Sequence, residues 1–299
     1  MGFFDTERGL LDIDRCLQFA PQLNELYRLF RSAAPTDLPE NVLQKVSVRL
    51  RVGPGGECGC WLDLSNLDIK FLLEIPDYLQ SLMAFGVHVE LGQKGKTPVL
   101  TGERYKLSPP LRKPWFKIST RKVKTDLSCL VSEFTQPSWE TASMLNQIVE
   151  DWLERFDNVE NIIEFGSGIG QFTLQFLLLG KQVTALESDQ SSCESLLLNA
   201  HACGVQDRLR IHQGDFHRLP FRQAGDLVFV NPSRAGLRGF TDSVLNSGAR
   251  HLIYISCFPE SMLADLREMK HEYKLIDLRI VDQFPQTSHY EVCALLEKI

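Results

Sequence analysis

Residues 161–187 read NIIEFGSGIGQFTLQFLLLGKQVTALE. An apolar run meets glycines spaced G-x-G-x-G at Gly166, Gly168 and Gly170, then a stretch of helical length, then a second run closing on Glu187. Strand, glycine turn, helix, strand is how a parallel sheet begins, because two strands running the same way need a crossover between them. Downstream the pattern repeats: QSSCESLLLNAHACG reads as helix, and RLRIHQGD, DLVFVNP and HLIYISC as strands. YKLIDLRIV and YEVCALLEK close the chain as a strand pair joined by DQFPQTSH. Upstream, an amphipathic helix starts near Ser138, with Ala142, Leu145, Val149, Trp152 and Phe156 along one side. Strands alternating with helices at this spacing predict an α/β doubly wound sheet.

The first third is different in kind. MGFFDTERGLLDIDRC reads as two short strands around a turn, and LQFAPQLNELYRLF as a helix. Val46, Val48, Leu50 and Val52 alternate with Lys45, Ser47, Arg49 and Arg51, the period of a half-buried strand closed by the turn GPGG. A helix from about Asn66 to Phe85 and a strand through Val87, Val89 and Leu91 follow, and 92–114 read as loop or irregular strand. The expected division is a smaller α+β substrate-binding domain over 1–130 and a catalytic domain over 131–299. From Arg104 to Lys124 there are eight Lys or Arg residues, no acidic residue, and Tyr105, Trp115 and Phe116 among them. Basic residues interleaved with aromatics suit a phosphate backbone with stacking on unpaired bases, which makes Lys117, Arg121 and Lys122 candidate substrate contacts.

Composition narrows the class. With 299 residues, 43% hydrophobic and 23% charged, the chain matches soluble globular proteins rather than disordered or fibrous ones. The apolar run FTLQFLLLG at 172–180 is broken by Gln175 and too short to span a bilayer, so no membrane partner is expected. A formal charge of -6 argues against a generic polyanion-coating protein, though not against local contact with nucleic acid. Eight cysteines without a C-x2-C pair predict reduced thiols in a cytoplasmic protein, with no metal site; a monomer is expected. Neither a secretory signal nor acylation is expected from the start MGFFDTERGLL, despite its formal M-G-x-x-x-T spelling.

The glycine spacing bears on the ligand. A dinucleotide site is spelled G-x-G-x-x-G and seats a pyrophosphate on the helix N-terminus. Here the spacing is G-x-G-x-G, and Glu187, 17 residues beyond Gly170, ends the next strand where a carboxylate can accept from both ribose hydroxyls. Asp215 ends the strand after that, where an adenine amino group would lie. A nucleoside cofactor without phosphates, S-adenosylmethionine, fits this set better than NAD.

Three later strand ends carry unusual spellings: Asn231-Pro232-Ser233-Arg234-Ala235-Gly236, Ser256-Cys257-Phe258-Pro259, and Asp282-Gln283-Phe284-Pro285-Gln286-Thr287-Ser288-His289-Tyr290-Glu291. In an open α/β sheet the carboxyl ends of the strands face the ligand crevice, so Cys257 and Glu291 can address one substrate. A thiolate and a carboxylate are the pair needed to methylate C5 of a pyrimidine. The thiolate adds to C6, C5 becomes nucleophilic, and the carboxylate removes the C5 proton before the thiol leaves.

These spellings, with Phe134-Thr135-Gln136-Pro137-Ser138 ahead of them, resemble in order the motifs of the RNA uracil-5 methyltransferase family: F-x-Q-x-N, a glycine loop, an acidic second strand, (D/N)-P-P-R-x-G, S-C-N and D-x-F-P-x-T-x-H-x-E. The resemblance is strong over 130–299 and weaker over the first third. It implies a class I methyltransferase Rossmann-like sheet with a C-terminal antiparallel hairpin, S-adenosylmethionine as cofactor and RNA as partner. It also implies Cys257 as nucleophile, Glu291 as base, Arg234 as a residue positioning the catalytic site, and Gln136, Gly166, Gln171, Glu187 and Asn231 as cofactor contacts beside Gly168, Gly170 and Asp215. Asn231 and the ending H-Y-E resemble the branch that modifies ribosomal RNA. Phe258, Ser233 and Ser138 depart from the family's Asn, Pro and Asn, and neither the N-terminal barrel nor the C-x5-C-x2-C segment of long relatives is spelled. Two other readings compete: an amino-group methyltransferase, whose N-P-P motif needs an aromatic where Arg234 stands, and a catalytically silent RNA-binding module.

Overall fold

The computed structural model describes residues 2–5, 9–33, 46–64, 76–92, 95–101, 104–215 and 223–299. It divides into two compact units, one of Met1–Trp115 with Leu130–Ser132, the other of Phe116–Cys129 with Glu133–Ile299.

In the first unit β1 (Gly2–Asp5) and β2 (Gly9–Asp12) form an antiparallel pair. Helix α1 (Pro21–Ala33) follows, then β3 (Val46–Val52), β4 (Cys58–Leu64), α2 (Pro76–Ala84) and β5 (Val87–Leu91). β3 and β4 pair antiparallel, and β4 and β5 parallel. Leu26 and Phe30 of α1 pack with Leu79 and Leu82 of α2 and with Cys60, Leu62, Val87 and Val89 of the sheet. The polar face of β3 is not simply solvated. Arg49 donates to the carbonyls of Val131 and Ser132 and Arg51 to that of Leu130, while Glu90 accepts from the amides of Val131 and Ser132, so these charges fasten residues 130–132.

One expectation changes here. β6 (Thr97–Thr101) and β7 (Arg104–Ser108) form a regular antiparallel pair, where loop or irregular strand was expected. The alternation in TPVLT and RYKLS carries it, masked in sequence by the surrounding Gly and Pro. Of the helix expected from Asn66, Pro76–Ala84 is described, and the start lies outside the described residues.

β8 (Lys113–Ser119) and β9 (Lys124–Cys129) pair with each other, and all but the start of this hairpin groups with the second unit rather than with residues 1–130 as expected. The reason is its partners in helices α3 (Trp139–Leu153) and α5 (Gln190–Ala202): Ser119 N donates to Ser143, Thr120 to Glu150, and Ser128 N to Asn199. Ser138 caps α3 by accepting from Thr141 N at 3.3 Å. Trp115 and Phe116 are buried, so these two rings of the basic stretch serve the core and not base stacking.

The rest of the second unit is one seven-stranded sheet. β10 (Asn161–Phe165), α4 (Gln171–Leu178), β11 (Gln182–Glu187), α5 and β12 (Leu209–Gln213) build one half. β13 (Leu227–Val230), α6 (Thr241–Asn246), β14 (His251–Ser256), α7 (Pro259–Met269), β15 (Tyr273–Val281) and β16 (Glu291–Lys298) build the other. The strand order is β12-β11-β10-β13-β14-β16-β15, parallel from β10 to β14, with β16 antiparallel to both β14 and β15. Phe165, Val230, Leu252, Tyr254, Val292 and Ala294 pack under Val244 of α6 and Met262 and Met269 of α7. On the opposite face Phe229 meets Phe172 and Phe176 of α4 at ring distances of 4.5 and 5.4 Å. The order reverses between β10 and β13, and that switch point opens a crevice at the strands' carboxyl ends. No described helix is long and apolar enough to cross a membrane.

Candidate active site

The crevice is lined by the turns that follow β10, β13 and β14 and by the start of β16. After β10, Gly166 N donates to Leu186 O at 2.8 Å, which bends the loop over β11. A Cβ at Gly168 would meet nothing within 4 Å, and one at Gly166 only Asn231 O at 3.9 Å, so open space lies against this backbone. Glu187 closes β11 and is held by three amides: Gly168 N donates to Oε2 at 2.8 Å, and Ser188 N and Asp189 N to Oε1 at 2.8 and 2.9 Å. Carboxylate oxygens can each accept twice, so acceptor capacity for hydroxyls remains on Oε2. Bare backbone beside a fixed carboxylate fits a ribose-bearing cofactor. Glu187→Ala should weaken S-adenosylmethionine binding about ten- to a hundredfold, the equivalent of losing about 1.5 to 3 kcal/mol of charge-assisted hydrogen bonding; calorimetry giving an unchanged affinity would remove Glu187 from the site.

Beneath this loop Glu164 is buried and pushed up to about 8, chiefly by burial and further by the charge of Glu187, while Thr173 donates to it at 2.6 Å. Its place in the first strand gave no hint of that in sequence.

After β13 the chain turns through Asn231-Pro232-Ser233-Arg234 and is fastened by Asp265 of α7. Its Oδ2 accepts from Leu237 N at 2.9 Å and from the Tyr254 hydroxyl at 2.6 Å. Gly236 makes the approach feasible: its φ is +67°, and a Cβ there would stand 2.6 Å from that same oxygen. Asp265→Ala should lower stability by about 2 to 3 kcal/mol, because a buried amide and a buried phenol lose a charged acceptor together. Urea unfolding would show this as a lower midpoint with an unchanged slope.

The turn after β14 carries Cys257. Ser256 Oγ accepts from Phe258 N at 3.1 Å and donates to Phe258 O at 3.0 Å, and Pro259 then occupies the first turn of α7. Pinned in this way, the thiol is half-buried at the strand end. The β14–β16 ladder ends at Ser256 opposite Val292, so the next residues out are Cys257 and Glu291. Burial raises the Cys257 thiol's pKa and the charge of Glu291 raises it further, while Arg234 draws it down by its charge and a hydrogen bond. Burial alone pushes Glu291 up to about 7, and its Oε2 is buried without a hydrogen-bond partner.

Gln136 belongs to the same end of the sheet. Gln283 lies two residues past Val281, the partner of Glu291 across the hairpin, and its Nε2 donates to Gln136 Oε1 at 2.9 Å. Gln283 is buried with its own Oε1 unpartnered. Sequence reading passed over it and over Asp265, although Gln283 stands inside the quoted motif. His289 packs edge-on against Phe284 at 6.5 Å in a turn that Thr287 closes by donating to Phe284 O, a structural placement.

The other candidates are not gathered in. Gln171 spends its Nε2 on Asn146 Oδ1 at 2.9 Å, in an amide network joining α3 and α4. Asp215 is exposed past β12, at the far edge of the sheet. Arg121 pairs with Asp151 and Glu154 at 2.7 and 3.0 Å, Lys122 with Glu154 at 2.8 Å, and Lys117 sits 3.7 Å over the Trp139 ring. These three cations answer α3 and its acidic end, a match invisible without knowing how the hairpin packs.

Comparison with known proteins gives a consistent result. A family model described as tRNA (Uracil-5-)-methyltransferase matches residues 116–299. An uncharacterized RNA methyltransferase of Bdellovibrio bacteriovorus is 38% identical over all of this chain and 78% of its own length. A 23S rRNA (uracil(1939)-C(5))-methyltransferase of Vibrio parahaemolyticus is 25% identical over 97% of this chain, which spans 63% of that relative. In fold, the chain is similar to a crystal structure of the Pyrococcus abyssi tRNA (uracil-54, C5)-methyltransferase with S-adenosyl-L-homocysteine, with a TM-score of 0.69, 19% identity, and coverage of 99% of this chain and 72% of that one.

Proposed function

This chain belongs to the tRNA (uracil-5-)-methyltransferase family, and we propose that it methylates C5 of a uridine in ribosomal RNA through a covalent bond between Cys257 and C6. S-adenosylmethionine-dependent RNA uracil-C5 methylation comes with the family. The observation that carries the covalent route is the position of Cys257 and Glu291 one step beyond the last β14–β16 pair, where one pyrimidine ring can meet both.

The cofactor, when bound, supplies an electrophilic methyl group. Gly166, Gly168 and Glu187 would hold it beside Asn231, with Gln136 at the catalytic end. Cys257 as thiolate forms the bond to C6, and the C5=C6 pair moves onto C5 and O4. Once C5 carries its methyl group, Glu291 takes the C5 proton, the electrons restore C5=C6, and the thiolate is expelled. Arg234, beside the thiol, favours its ionised form. An amino-group methyltransferase needs neither thiol nor base, and Arg234 stands where its stacking aromatic would be.

Ribosomal over transfer RNA is supported by Asn231, by the ending His289-Tyr290-Glu291, and by the 23S ribosomal RNA activity for which the Vibrio relative is named. The test is nucleoside mass spectrometry after incubation with S-adenosylmethionine and unmodified 23S ribosomal or transfer RNA. We expect 5-methyluridine in the ribosomal RNA. The same product in transfer RNA alone would overturn the choice of RNA, and a methylated base other than 5-methyluridine would overturn the reaction.

A further inference from the structure

Phe258 follows the nucleophile and Tyr290 precedes the base, and each residue is 38% exposed. Neither ring has a ring partner among the described residues. The backbone beneath Phe258 is nonetheless fixed: its N–H is bonded to Ser256 Oγ, and its carbonyl accepts from both Ser256 Oγ and Ser261 Oγ at 3.0 and 2.9 Å. A partly exposed aromatic residue thus stands on a turn whose backbone is hydrogen-bonded. Phe258 and Tyr290 adjoin Cys257 and Glu291 in sequence, just outside the last β14–β16 pair, at the rim of the reacting position.

A uridine that enters this site must leave its stack, and the base beside it then loses a neighbour. Aromatic side chains commonly replace that lost contact, and they do so with little regard to sequence because every base has a π-face. The cations that might have gripped phosphates, Arg121 and Lys122, are paired with α3, and the chain's formal charge is -6, so grip through stacking has more to supply here. We propose that Phe258, flanked by Tyr290, is a nucleobase-stacking subsite for the nucleotide adjoining the target uridine. The subsite rests on the uridine reading above.

The test uses a single-stranded RNA with one uridine flanked on both sides by 2-aminopurine, whose fluorescence is quenched when it stacks. Binding to the full chain with S-adenosylhomocysteine present should quench it. Phe258→Leu should abolish most of that quenching and weaken RNA binding about tenfold or more, while its calorimetric affinity for S-adenosylhomocysteine stays at the wild-type value and reports an intact fold. Phe258→Trp, which keeps a ring, should retain both quenching and affinity. Quenching and affinity that survive in Phe258→Leu would overturn the subsite. 5-Methyluridine formed with no ring-dependent quenching would sink the subsite alone, whereas ring-dependent quenching with no 5-methyluridine in any RNA would sink the uridine reading and, with it, the identity of the stacked base as the neighbour of a target uridine.

Discussion

Cys257→Ala should lower methyl transfer to RNA by at least about a thousandfold and abolish covalent capture of 5-fluorouridine RNA. Fluorine at C5 cannot leave as a proton. In the wild-type protein, thiol addition and methyl transfer should therefore proceed and elimination stop, leaving a protein–RNA adduct that survives denaturation. The thiol is pinned by Ser256 and Pro259 at the end of a buried strand, so its replacement by Ala removes one sulfur at a half-buried turn and leaves β14 intact. S-adenosylmethionine affinity should be unchanged, which separates loss of chemistry from loss of fold. An adduct that still forms in Cys257→Ala would move the nucleophile to another residue. 5-Methyluridine made at an undiminished rate would rule out covalent catalysis altogether.

How much of this was legible in sequence follows from which interactions are local. The glycine loop, β10 to β14 and the closing hairpin are encoded in strand and helix periods and in turn residues. Cys257 and Glu291 could be paired because both sit at strand ends, and the register of β14 and β16 turns that into adjacency. The basic stretch was legible only in part, for the opposite reason. Its composition suggested a contact surface, but Trp115 and Phe116 are core, and Arg121 and Lys122 meet Asp151 and Glu154, about 30 residues away in sequence. Asp265 and Gln283 were passed over because a carboxylate on a helix and an amide in a loop carry no periodic signal; only the atoms that they bond reveal their work.

Glu291→Gln should stop the cycle one step later, and its consequences differ in kind from those of losing the thiol. With natural uridine RNA the variant should still form the Cys257–C6 bond and accumulate it, because the amide cannot take the C5 proton. Turnover should fall about a hundred- to ten-thousandfold, the usual contribution of a general base. Burial raises the carboxyl from 4.5 to about 7, so below that pH the base is mostly protonated. The wild-type rate of adduct resolution should accordingly rise with pH to about 7 and then level, and a profile flat between pH 5 and 8 would contradict the assignment. Stability should move the other way. Between pH 4.5 and about 7 the folded chain binds a proton at Glu291 that the unfolded chain has released, so stability from this group falls as pH rises through that window. Glu291→Gln escapes that cost. Its midpoint of thermal unfolding should exceed the wild type's at pH 8 and converge on it near pH 5, the mark of a carboxylate kept buried and unpaired for chemistry at the expense of the fold. Equal midpoints at pH 8 would mean that Glu291 is ionised without penalty, and a base so relaxed would be poorly matched to removing a proton from carbon near neutral pH.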